Sequence, residues 1–280
     1  AVRNPERYKG ILTAISPYIN KVLNEETLLQ VVSSMYLNGI VSSDGVEIDE
    51  NSTIESIENA VIAVNSTRRA DGGFPQGYPS RFWTYVRTLS EMGFVLAQYG
   101  QSLQFSEIAL MLIKNEIDEQ EAFSIQAMKY NRRSPYRNVS NDFNYFKFIL
   151  EVLKQRERIS YEQFIVSTFS NNGNVSEFLK TIDENTLGEP SEVVAFLRAE
   201  YGTNLKAQTI LRDYPDVVLR VLIITGFVSI QFRGKVFIYR NFANDDYINN
   251  LLSVNIELTD EDKESPNLHF AKLENYNNQL

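Results

Sequence analysis

Apolar residues recur at helical spacing along most of the chain and alternate with polar ones over only two stretches. Residues 25–37 place Leu28, Leu29, Val32, Met35 and Tyr36 on one face, with Asn24 as cap and Gly39 as stop. The same spacing predicts helices over 53–64 and over 81–91. The second of these is expected to be capped by Ser80, buried through Phe82, Tyr85, Val86 and Leu89, and ended by Gly93. Between them, NSTRRADGGFPQGYPS reads as a loop by its glycines and proline. FVLAQYG and SLQFS read as two short strands, followed by helices over 106–114 and 118–130. Past the polar stretch NRRSPYRNVSN, helices are predicted over 142–155, 160–169, 175–181, 191–200 and 217–224. FVSIQFRGKVFIYR then alternates on both sides of Arg233-Gly234, which signals a hairpin.

The two halves echo one another. In each, a helix runs into a Gly-Phe-Val triplet and a hairpin, at Gly93-Phe94-Val95 and at Gly226-Phe227-Val228. About three helices closed by a hairpin is the winged-helix plan. The expected fold class is therefore mainly α with short β-hairpins (α+β), built as two helix-turn-helix or winged-helix subdomains. The expected boundaries are a first subdomain at 1–130, a basic linker at 131–141, a second subdomain at 142–241 and an acidic tail at 242–280.

Several chemistries are excluded. There is no cysteine, which removes disulfides, thiolate nucleophiles and Cys-ligated zinc. A single histidine, His269, removes His-based triads and multi-His metal sites. No glycine-rich phosphate loop is present, and no run of about 18 apolar residues that would cross a membrane. The opening AVRNPERYKG is polar and charged, unlike a signal peptide, so a cytoplasmic location is expected.

A net charge of -9 argues at first against a nucleic-acid partner. Its distribution changes that. Residues 242–280 hold eight acids (Asp245, Asp246, Glu257, Asp260, Glu261, Asp262, Glu264, Glu274) against two lysines, so the rest of the chain is close to neutral. Within it the basic residues cluster. Candidate DNA contacts are Arg3, Arg7 and Lys9 in an N-terminal arm, and Arg68, Arg69, Gln76 and Tyr78 in the loop. On the helix over 81–91 they are Arg81, Thr84, Arg87 and Thr88. Arginine can fork onto guanine, and threonine can touch a thymine methyl or a phosphate. Arg132, Arg133 and Arg137 would follow phosphates from the linker. In the second half the helix over 217–224 is almost wholly apolar. Contacts there are expected instead from Asn172, Asn174, Arg212 and the hairpin tip, Arg233 and Lys235.

SRFWTYVRTLSEMGFVLAQYGQSLQFSEIALMLI and NVSNDFNYFKFILEVLKQRERISYEQFIV resemble the N-terminal recognition region of type IIS restriction endonucleases. The resemblance implies a prokaryotic, cytoplasmic protein that recognises a short asymmetric duplex site. A separate C-terminal domain would cleave outside that site with Mg2+. The acidic-lysine motif of such nucleases is not found. Asp260-Glu261-Asp262-Lys263 has the residue types but reads as a solvated tail. The chain is therefore expected to be a severed binding module: monomeric on DNA, without catalytic residues, metal or cofactor of its own, from a parent that would dimerise through its nuclease domain. The alternatives are a tandem winged-helix regulator or replication initiator, which would need a two-fold operator, and a protein-interaction scaffold, which would bind no duplex.

Overall fold

A computed structural model describes residues 7–66, 78–137 and 139–275. The protein is mainly helical with two small antiparallel sheets, the α+β class expected. The described residues form two compact units, one of 7–118 together with 260–275, the other of 119–259. The division thus falls at 118/119 rather than at 130/142.

In the first unit α1 (Tyr8–Ile15), α2 (Glu25–Leu37), α3 (Ile54–Ser66) and α4 (Tyr78–Glu91) lead to β1 (Val95–Leu96) and β2 (Gln104–Phe105), then α5 (Glu107–Ile113). Asn24 caps α2 as expected, its side chain accepting from the Thr27 N–H at 2.9 Å. Ser80, expected as the cap of α4, lies inside it, because Pro79 fits the first turn of a helix, where no N–H partner is needed. Phe82, Val86 and Leu89 of α4 are buried, and α4 packs on α2.

The second unit runs through α6 (Glu119–Lys129), α7 (Tyr145–Arg156), β3 (Arg158–Ser160), α8 (Tyr161–Ser167), α9 (Val175–Glu184) and α10 (Pro190–Tyr201). It continues with α11 (Tyr214–Ile224), β4 (Val228–Phe232), β5 (Val236–Arg240) and α12 (Asp245–Leu252). β3 was not expected from the sequence. It pairs antiparallel with β5, which also pairs with β4, giving the order β3-β5-β4. Ile159, Ile238 and Val228 are buried on one face of this sheet, against α7, α8 and α11. A π-helical turn, Thr209–Asp213, leads into α11.

The two Gly-Phe-Val triplets take the same local form. Gly93 and Gly226 sit at φ 76° and 71°, just past α4 and α11. Phe94 and Phe227 are fully buried, and Val95 and Val228 open a strand. Only glycine reaches that backbone region without strain, so it is the residue that turns each helix into its hairpin.

Residues 242–275 are not a solvated tail. α12 packs on α6 through buried Ile248 and Leu251. α13 (Asp260–Glu264) and α14 (Pro266–Leu273) return to the first unit, where α14 lies on β1 with His269, Phe270 and Leu273 buried. Four apolar anchors decide the outcome over a surplus of exposed acids, because surface charge costs a helix little.

Candidate nucleic-acid interface

α4 presents its polar side outward. Thr84 and Arg87 are exposed and Thr88 is half-buried, three residues on the face opposite Phe82, Val86 and Leu89. Arg87 has no ion pair among the described residues. Trp83, beside Thr84, is partly buried and makes an edge contact with Phe82 at 4.9 Å. Tyr78 and Arg81 lie on the first turns of α4, but their side chains are outside the described residues, as are Arg3, Arg68, Arg69 and Gln76 altogether. Arg7 is exposed at the start of α1, its Nη1 3.5 Å from the Ile40 carbonyl. Lys9 donates to Asn115 Oδ1 at 2.7 Å.

The stretch 131–141 is structural rather than a linker. The Arg132 guanidinium donates to the carbonyls of Thr168 and Ser170 (3.2 Å for the latter) and lies 5.8 Å from the ring centres of both Phe143 and Tyr145. Burial of this guanidinium lowers its pKa, and the nearby tyrosines offset part of the effect. Arg133 is 3.9 Å from Asp142, and Arg137 closes a turn with its N–H on the Ser134 carbonyl. Asn131 donates to Asp142 at 2.9 Å. The phosphate-following role expected of Arg132 therefore does not fit its position, since its N–H groups are committed inward.

Asn172 and Asn174 likewise serve the chain. Asn174 caps α9 by accepting from the Glu177 N–H at 3.1 Å, and Asn172 donates to the Glu177 carboxylate at 2.9 Å. Lys235 is held by the Gly188 carbonyl and by Glu189 at 3.4 Å. Arg220 pairs with Asp216 at 3.0 Å, Arg156 with Asp183, and the buried Arg240 with Asp245 at 2.5 Å. Several cations of the second unit are thus neutralised locally. Arg212, on the π-turn, and Arg233, at the hairpin tip, are exposed and make no ion pair among the described residues.

One cation escaped the sequence reading. Arg158 on β3 is exposed, donates from Nη1 to the Tyr239 hydroxyl at 2.8 Å, and lies 4.8 Å over the Phe237 ring. Its signal was there in the alternation Phe237-x-Tyr239, but a three-residue strand is too short to show in a periodicity. Phe232, at the end of β4, is 76% exposed.

Asp260, Glu261, Asp262 and Lys263 form one short helix rather than the strand frame a nuclease metal needs. Asp262 is buried, with Lys272 3.8 Å away. This set does not fit a divalent-metal site. Among the described residues no group of three or more His, Asp or Glu side chains is arranged to hold a metal.

The described body is mainly helical, its hairpins follow helices, and arginines without an ion pair among the described residues lie on a helix face and on a sheet. A solved structure shares that fold. The crystal structure of the BpuJ1 endonuclease binding domain with pyrene- and phenanthrene-modified DNA superposes with a TM-score of 0.50 at 12% identity. The match covers 96% of this chain and 90% of that one. No curated protein matches significantly. The AlwI restriction endonuclease family model matches residues 90–277, and the chain belongs to that family.

This membership corrects the expectation of a severed module without activity. The family defined by a restriction endonuclease takes in most of the chain, including 242–277, which had been read as a tail leading to a missing enzyme.

Proposed function

We propose that the protein is a type IIS restriction endonuclease that recognises a short asymmetric duplex DNA site, with the first unit reading bases and the second gripping the backbone. The exposed Thr84–Arg87 ridge of α4 carries this reading. It is a polar, cationic strip on a helix whose other side is locked into a core, the form in which a helix enters the major groove. The β4–β5 hairpin after α11, with β3 paired on β5, supports a winged-helix assignment for the second unit, with α9 and α10 inserted between α8 and α11. α11 offers no comparable ridge, because Arg220 is tied to Asp216 and Leu219, Val221 and Leu222 are buried. Base reading therefore falls to α4. Arg3, Arg7, Arg68, Arg69, Gln76, Tyr78 and Arg81 remain candidate contacts.

Selection from a random duplex pool tests the reading. The retained DNA should carry a short non-palindromic consensus, and with Mg2+ supplied, cutting should fall at a fixed offset from it. Retention without enrichment over bulk DNA would refute sequence recognition. Cutting inside the consensus would refute the type IIS assignment.

A further inference from the structure

The open face of the β3-β5-β4 sheet carries an arrangement that neither the core nor α4 explains. Pleating puts Arg158 and Ser160 of β3, Phe237 and Tyr239 of β5, and Ser229 and Gln231 of β4 on one side, as the pairs Arg158↔Tyr239, Ser160↔Phe237, Ser229↔Tyr239 and Gln231↔Phe237 require. Two guanidinium groups converge there. Arg158 lies over Phe237 and 5.8 Å from the Tyr239 ring centre, and Arg233 lies 5.9 Å from the same ring. Neither makes an ion pair among the described residues, and Glu157 is the carboxylate whose charge Arg158 feels. Elsewhere in this unit Arg132 is matched with carbonyls and Arg133, Arg156, Arg220 and Arg240 with acids, while Arg198 and Arg212 are exposed without an ion pair among the described residues. Here two like charges share one tyrosine while their remaining N–H donors face water.

We infer that this sheet face is a backbone clamp, in which Arg158 and Arg233, pre-set by the Phe237 and Tyr239 rings, bind adjacent phosphates of one DNA strand. A guanidinium stacked on a ring has lost most of its side-chain freedom before binding, so less entropy is lost on contact. Its planar fork matches a phosphate in two hydrogen bonds. The polar Ser229, Ser160 and Gln231 flank the pair without adding negative charge. The inference rests on the DNA-recognition reading above.

The test is the salt dependence of duplex binding by the full chain. Each phosphate contact contributes about 0.9 to the slope of log K against log salt, about eight-fold in affinity near 0.1 M. The R158A/R233A double variant should lower the slope by about two and weaken binding to all sequences alike. Tyr239→Phe keeps the ring but frees Arg158, and should cost a few-fold in affinity with the slope retained. R158K/R233K, which keeps the charge, guards against a folding artefact and should hold the slope. Wild-type binding with an unchanged slope in a double variant that melts normally would overturn the clamp alone. A slope loss confined to one DNA sequence would overturn it too, by making these residues base readers. A wild-type chain that binds no duplex would sink the clamp and the proposed function together.

Discussion

Replacing Arg132 with alanine separates a structural arginine from a DNA contact. Its guanidinium donates to the Thr168 and Ser170 carbonyls, which belong to two buried residues at the end of α8, and it lies between the Phe143 and Tyr145 rings. A hydrogen bond from a charged donor contributes about 1.5–3 kcal/mol, and each ring contact about 0.5–1. Relief of the desolvated charge offsets part of that sum, since a buried cation is costly in itself. The net loss should be about 3–4 kcal/mol, which at roughly 2–4 °C per kcal/mol for a body of this size is about 10 °C in melting temperature. Arg132→Lys should recover little, because an ammonium cannot fork between two carbonyls. The assay is thermal unfolding beside DNA titrations at several salt concentrations below the melting point. A variant that melts like the wild type but loses one unit of salt slope would refute the structural assignment and restore Arg132 to the phosphates.

Arg87→Ala should leave stability within about 0.5 kcal/mol and cost about 1–3 kcal/mol of discrimination at one base pair, read from competition between single-base variants of the selected site. Gly226→Ala should destabilise by at least about 1–2 kcal/mol in denaturant titration. The position has φ 71°, and a Cβ there would meet the Gln120 amide at 2.6 Å. Burial holds the His269 pKa below its ordinary 6.5, so the unfolded chain takes up a proton that the folded state refuses. The stability this neutral ring secures is complete above about pH 6.5 and falls as pH drops below it, by at most about 1.4 kcal/mol per unit. His269→Gln should flatten that stretch of the stability–pH curve.

What the sequence revealed follows the range over which its signals act. α2 was legible to the residue because Asn24, a five-residue apolar face and Gly39 all lie within one local window. The β4–β5 hairpin was legible because two five-residue strands alternate around Arg233-Gly234. β3 was not, because three residues make no pattern and its pairing with β5 spans about half the second unit. The acidic C-terminal stretch misled for a related reason. Counting charges over 242–280 hides that Ile248, Leu251, Phe270 and Leu273 are spaced to bury one side of two short helices. Among the site candidates, exposure on α4 followed from periodicity. The fate of Arg132 and Lys235 did not, because their partners Thr168, Ser170, Gly188 and Glu189 lie about 35–50 residues away in sequence, beyond the reach of local patterns.

The same pairing reconciles a net charge of -9 with a DNA partner. Exposed charges more than about 10 Å apart scarcely feel each other at 0.1 M salt, so the sum over the chain does not govern what a phosphate meets at one surface. What governs it is which cations lack a local acid. In the second unit Arg156, Arg220, Lys235 and Arg240 have one, while Arg158, Arg212 and Arg233 do not. A chain of net charge -9 gains little from bulk attraction to DNA. Its affinity for random sequence should then be low and its binding more dependent on base contacts through α4.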